Sequence, residues 1–184
     1  MSEFADAISY VLEREGNLSE NLADSGGTTN YGISLRFLRA LSEEKQRKYG
    51  IFEPITEQTI RELTQDQAKF IYRGEFWDAS RFSDIRSQLV CDYLFDTCVN
   101  CGIHAGIKIL QRSLWALMFS RAYISDDGIL GDFTLERTNL ILPDLIMPVL
   151  VASRAAYYHL LAEINPKNKE FLEGWLNRAY KIWI

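Results

Sequence analysis

Phe4-Ala5-Asp6-Ala7-Ile8-Ser9-Tyr10-Val11-Leu12-Glu13-Arg14-Glu15-Gly16 opens the chain with an amphipathic pattern, and Asp24-Ser25-Gly26-Gly27-Thr28-Thr29-Asn30-Tyr31-Gly32-Ile33-Ser34 follows it with turn formers and hydroxyls. Phe4, Ile8, Val11 and Leu12 share one helical face, which predicts a helix from about Glu3 to Glu15 that stops at Gly16. Residues 17–34 mix turn formers with a few β-formers, so they read as a long loop or a small hairpin. A loop of this length between periodic segments is usually functional.

The rest of the chain extends the helical theme. Ser34 caps a helix carrying Leu35, Leu38 and Leu41, and Thr64 with Gln67 forms a capping box that opens a helix through Ala68, Ile71 and Tyr72. After a turn-like segment at 80–84, one helix carries Leu89, Val90, Tyr93, Leu94 and Thr97 and ends near Asn100-Cys101-Gly102. Others run from about Ala105 to Phe119, Gly131 to Asn139, Leu145 to Glu163 and Lys169 to Ile182, with Asp126-Asp127-Gly128 as a turn. No convincing strand alternation stands between turn signals, so the expected fold class is mainly α. The division expected along the chain is 1–84 and 85–184, packed as one compact unit.

Composition narrows the class of function. The 184 residues are 47% hydrophobic and 24% charged, a globular balance. The net charge of −5, with no basic run, argues against nucleic acid as a partner. Glu3, Asp6, Glu13, Glu15, Glu20 and Asp24 face only Arg14 within the first 34 residues, so that segment is strongly acidic. Cys91, Cys98 and Cys101 suit reduced structural thiols made in a reducing compartment. The start of the chain lacks the basic and apolar regions of a secretory signal. The apolar stretch 140–152 is interrupted by Pro143, Asp144 and Pro148, so neither a signal peptide nor a membrane span is expected.

Glu15 is the first candidate for chemistry. It lies four residues beyond Val11, seven beyond Ile8 and eleven beyond Phe4, so it continues the apolar stripe. Partial desolvation favours the neutral carboxyl, which is what a general acid near neutral pH needs; a paired or snorkelling Glu at a helix end is the structural alternative. Asp24 follows nine residues on, and it reads either as a second catalytic carboxylate or as a turn cap. Gly27, Thr29, Asn30 and Tyr31 offer close backbone approach, a hydroxyl, an amide and a ring, while Tyr72 and Trp77 are further candidate stacking faces for a sugar, with burial in helix packing as the alternative for Trp77. Trp175 is also an aromatic candidate, with helix packing as its alternative. Cys91, Cys98, Cys101 and His104 superficially suggest zinc, but a continuous apolar helix suits buried thiols better, and no metal or other cofactor is expected.

Several motifs together resemble glycoside hydrolase family 108, the lysozyme-like N-acetylmuramidases that include secretion-activator proteins. They are Glu15-Gly16, the 24–34 segment, Ala68-Lys69-Phe70-Ile71-Tyr72-Arg73, Phe76-Trp77-Asp78, Phe95-Asp96, Asn100-Cys101-Gly102 and Leu110-Gln111. Asp127-Gly128-Ile129-Leu130-Gly131 with Thr134-Leu135 resembles the family's peptidoglycan-binding-type region, and Gly174-Trp175-Leu176-Asn177-Arg178 its C-terminal motif. The sequence departs from the usual pattern at Asn17, where the family has a second Gly, and at Glu20-Asn21, where it has Asp-Pro.

The resemblance implies a lysozyme-like fold and hydrolysis of the β-1,4 bond between N-acetylmuramic acid and N-acetylglucosamine, with Glu15 as the acid. The nine-residue spacing to Asp24 also resembles phage-type lysozymes, in which a Thr six residues past the Asp helps to hold the water. Asn30 occupies that position here, with Thr29 one residue short. Peptidoglycan glycan strands are then the expected partner. A holin-like or other export partner would deliver the enzyme to the periplasm, for lysis or for secretion. A lytic transglycosylase, a non-catalytic wall-binding protein and an interaction module on a lysozyme-like body are the alternatives.

Overall fold

The computed structural model describes residues 1–15, 28–52, 54–118 and 124–181, with Glu15 described by its backbone. The order is α1 (Phe4–Glu15), a hairpin of β1 (Thr29–Asn30) and β2 (Ile33–Ser34), α2 (Leu35–Ala40), α3 (Glu43–Lys48), α4 (Glu57–Arg61) and α5 (Gln65–Tyr72). There follow α6 (Gln88–Cys101), α7 (Ile103–Met118), α8 (Asp132–Leu140), α9 (Pro143–Ile164) and α10 (Lys169–Tyr180). The fold is mainly α, as the periodicity predicts. Two compact units divide the chain: Ile8–Ala79, and Met1–Ala7 together with Ser80–Ile184.

In the 8–79 unit, short helices are set by their caps. The Ser34 hydroxyl accepts from the Phe37 amide to start α2, and Thr64 and Gln67 make the reciprocal bonds of a capping box at α5. Ser42 caps α3 in the same way, although α3 has no apolar stripe that would announce it. A π-helical turn, Arg73–Trp77, extends α5 and closes with the Asp78 amide donating to the Arg73 carbonyl at 2.8 Å. Beside it, the Tyr49 hydroxyl and the Lys45 ammonium each donate to one oxygen of Glu75, at 2.7 and 2.8 Å.

The second unit is built on α6, α7, α9 and α10, which pack on one another. Gly106 brings α7 against α6: a Cβ there would lie 2.5 Å from the Cys98 sulfur and 2.9 Å from its Cα. On α9, Met147, Leu150, Val151, Arg154, Ala155, Tyr158 and Ala162 form the buried stripe at helical spacing. The helix expected over 145–163 is observed as Pro143–Ile164. Pro143 occupies the first helical turn, where its missing N–H costs nothing, and the helix continues through Pro148. The resulting 22-residue helix is long and apolar enough to cross a membrane, and its buried stripe places it in the core of this unit.

A polar network lies inside that core. Asp96 on α6 is fully buried and accepts from Arg154 and Arg178. Arg154 also donates from Nε to the Tyr158 hydroxyl, which itself donates to Asn100 Oδ1 at 2.6 Å. Tyr93 reaches from α6 to donate to the Ala179 carbonyl on α10 at 2.8 Å. Trp175 stacks between Tyr158 and Phe171, with ring centroids 5.3 and 5.9 Å away.

Candidate active site

The hairpin is the part of the expected site that the structure describes most fully. Asn30 pairs with Ile33 on the buried side, while the Thr29–Ser34 pair is half-buried. The two-residue turn between the strands, Tyr31–Gly32, has positive φ at both positions, 50° and 77°. This is the geometry of a type I′ turn, whose twist matches the flanking strands and whose first position favours Asn, Asp or Gly. Gly32 meets the requirement freely. Tyr31 does not, and a non-glycine residue held in this region costs about 1–3 kcal/mol.

Two groups fasten the hairpin to the rest of its unit. The Asn30 amide nitrogen, buried, donates to the carbonyls of Ile60 at 3.0 Å and Leu63 at 3.3 Å at the end of α4. Both amide protons are thereby directed to backbone, and Oδ1 is the side chain's acceptor. The Tyr72 hydroxyl donates to the carbonyl of Tyr31 at 2.9 Å. Its ring tilts onto Phe76 at 5.6 Å, and Phe76 in turn stacks on Phe37 at 6.1 Å.

These contacts correct two sequence expectations. Tyr72 is 1% exposed and Trp77 6%, so neither ring offers an open face for a pyranose; they build the wall behind the hairpin. Ring type was visible in the sequence, but burial was not. Thr29 and Tyr31 remain half-buried at the hairpin. The expected Asp24 and Gly27, and the side chain of Glu15, lie outside the described residues. What the structure gives for Glu15 is the end of α1, where Ala7, Ile8 and Val11 are buried on the preceding turns.

Glu75 is a carboxylate that sequence reasoning missed. Its partners, Lys45 and Tyr49, come from α3 and the residue after it, so no local spacing announces them. Burial, and then the hydrogen bond to Glu75, push the Tyr49 hydroxyl above its ordinary value. Both Glu75 oxygens are engaged, which ties the π-helical turn to α3 and Tyr49.

The cysteine cluster has separate partners instead of a common centre. The Cys91 sulfur faces the Phe82 carbonyl, Cys98 faces that of Ile103, and Cys101 faces the Tyr158 hydroxyl. Burial pushes the Cys91 thiol up to about 12 and the Cys98 thiol well above its ordinary value, which keeps both protonated. At the Asp126-Asp127-Gly128 turn, Gln111 donates to Asp127 and to the Ile129 carbonyl and accepts from the Gly128 amide. Bonds from Ser125, then Gln111 and the Ile129 amide, hold the Asp127 carboxyl down to about 2. This motif is a ligated turn, which accounts for its residue pattern.

Comparison with known proteins gives these elements a family. Residues 8–102 match the model described as glycosyl hydrolase 108, and residues 105–180 match one described as a predicted peptidoglycan domain. Among solved structures, SagA of Brucella abortus is similar with a TM-score of 0.66, covering 97% of this chain and 96% of that one at 22% identity, a likeness of fold. A comparison with curated proteins finds no match. The fold is therefore the expected mainly α, lysozyme-like one, the expected small loop or hairpin being a hairpin, and the matches support a peptidoglycan-related glycoside hydrolase or secretion-activator role. The chain belongs to the glycosyl hydrolase 108 family.

Proposed function

We propose that the protein is an N-acetylmuramidase that hydrolyses the β-1,4 bond between N-acetylmuramic acid and N-acetylglucosamine in peptidoglycan. One observation carries this reading: the glycosyl hydrolase match begins within α1 and includes Glu15, the last residue of that helix, four residues beyond Val11. The sequence register expects partial desolvation of this carboxyl, and desolvation favours the protonated form that an acid needs. In this reading Glu15 protonates the glycosidic oxygen. Water held near Asp24 and the Asn30 and Thr29 hairpin attacks an oxocarbenium-like centre. The anchored amide of Asn30 suits that task, since its remaining Oδ1 can accept a hydrogen from the water.

The substrate lies outside the cytoplasmic membrane, so the enzyme acts in the periplasm. Delivery by a holin-like or other export partner, and service in lysis or in protein secretion, belong to the same proposal. The match of residues 105–180 to a predicted peptidoglycan domain supports glycan strands as the ligand.

The test is digestion of purified peptidoglycan by the wild type and by Glu15→Gln, with products weighed before and after borohydride reduction. Reducing muramic acid ends from the wild type alone are the expected result. Anhydro products would make the protein a lytic transglycosylase, and equal activity of both proteins would remove Glu15 as the acid. Binding without any product would leave a wall-binding protein.

A further inference from the structure

We propose that Tyr72 is a positioning residue: through its hydroxyl it holds the Tyr31–Gly32 turn in its left-handed conformation, so that the Tyr31 ring stands preformed as a stacking face for a pyranose. This rests on the reading of the protein as a peptidoglycan hydrolase. Three observations carry it. Tyr31 is the non-glycine residue with positive φ among the described residues, at a position where Asn or Gly would sit without strain. The residue is only half-buried, so full burial in the core does not repay that strain. The Tyr31 carbonyl, rather than its side chain, is what the buried Tyr72 hydroxyl grips at 2.9 Å.

The support extends behind Tyr72. Its ring rests on Phe76 in the π-helical turn, and Phe76 stacks on Phe37, whose amide is bonded to Ser34 at the other end of the hairpin. The turn is therefore held at its tip by Tyr72, at its base by Ser34, and on β1 by the Asn30 amide. Observed strain at a residue that the surrounding structure over-determines points to function. An aromatic ring at the hairpin tip and the Thr29 hydroxyl on the half-buried pair suit the apolar face and the polar substituents of an N-acetylated aminosugar.

The experiment compares Tyr72→Phe, Tyr31→Phe, Tyr31→Asn and the Tyr31→Asn/Tyr72→Phe double variant on soluble, uncross-linked glycan strands. KM and kcat are measured in the active protein, and Kd for the same strands in the Glu15→Gln background. Tyr31→Phe keeps the ring and should lose much less affinity than Tyr31→Asn, which separates the ring's contribution from that of its hydroxyl. Tyr31→Asn keeps the turn without the ring and should raise KM and Kd about tenfold; Tyr72→Phe should raise both about fivefold, with kcat within about twofold. The double variant should be no weaker than Tyr31→Asn alone, because the hydroxyl acts through the ring. Circular dichroism melts separate these effects from unfolding.

Unchanged KM and Kd in Tyr72→Phe, or effects that add in the double variant, would overturn the proposal. So would wild-type affinity in Tyr31→Asn, or failure of the Glu15→Gln protein to bind the strands. A wild type that binds strands without cleaving them would count against the muramidase reading alone, since the Kd series still tests the turn.

Discussion

Asp96 and Arg178 meet across the C-terminal unit, with Arg178 Nη2 donating to Asp96 Oδ1 at 2.7 Å while Arg154 Nη1 donates to Oδ2 at 2.7 Å. One carboxylate on α6 thus pairs with two guanidinium groups, from α10 and α9. α6 falls within the glycosyl hydrolase match, and both arginines fall within the peptidoglycan domain match. The boundary between the two matched segments, at residues 102–105, therefore runs through a shared ionic core.

Removing Asp96 should be severe. Asp96→Ala leaves Arg154, fully buried, without its counter-charge, and breaking a buried pair from one side costs about 3–5 kcal/mol. Urea unfolding at neutral pH measures it. Arg178→Ala should cost less, because Arg178 is partly exposed and Arg154 still pairs with the carboxylate.

Acid should weaken the same core. Burial alone would raise the Asp96 carboxyl, but Arg178 and then Arg154 outweigh it and hold the group below its ordinary value. The folded state thus binds this proton less readily than the unfolded chain, whose carboxylates titrate near about 3.9. The stabilisation is present above that pH and is lost as pH falls through the lower folded value. Wild-type stability should fall in this range, and Asp96→Asn should flatten the fall.

Asp92 behaves in the opposite sense. Burial, with a smaller contribution from Asp6, raises its carboxyl to about 6 against the opposing hydrogen bond from Gln88. Its contribution is fully present below the ordinary carboxylate value and is lost as pH rises through about 6. Asp92→Asn keeps an oxygen for Gln88 and removes the half-buried charge. It should stabilise the protein at neutral pH by on the order of 1 kcal/mol after allowance for solvent screening, with no gain in acid. Paired denaturation curves at the two pH values check this.

A fragment of residues 105–184 should fail to fold cooperatively. It contains Arg154, Arg178 and Ala179 but lacks Asp96 and Tyr93, their partners on α6. Thermal melts of this fragment should lack the sharp transition of the full chain. A cooperative melt would show that the peptidoglycan domain segment is autonomous.

Gly106→Ala tests the closest approach of α6 and α7. The added methyl meets the Cys98 sulfur at 2.5 Å and the Cys98 backbone at 2.9 and 3.0 Å, so a loss of about 1–3 kcal/mol is expected. Adding Cys98→Ala should recover only part of it, since the backbone contacts remain.

Much of the helical scaffold was legible in the sequence. The α1 stripe, the caps at Ser34 and Thr64 and the helices after residue 88 carry local signals, and their observed ends lie close to the expected ones. α3 and α4 were missed because they are short and polar, with little beyond Ser42 and Thr56 to mark them. Pro148 stands inside the helix expected over 145–163, where packing of the α9 stripe outweighs one lost hydrogen bond. Asp96 lies 58 residues from Arg154 and 82 from Arg178, and no periodicity links such positions. At the candidate site, the sequence marked the hairpin residues, while the inward turn of Tyr72 and Trp77 depends on tertiary packing.

The central position of Arg154 in α9 has a second consequence. α9 spans 22 residues, about the thickness of a bilayer's hydrocarbon core, and Arg154 falls at its midpoint. That is the depth at which a charged side chain disfavours insertion most, by about 2.5–3.5 kcal/mol. Taken alone, α9 is an apolar segment of membrane-spanning length, and this one arginine weighs against its partition into lipid. The residue that completes the ionic core thus also sets α9 apart, in composition, from a membrane-spanning helix of the same length.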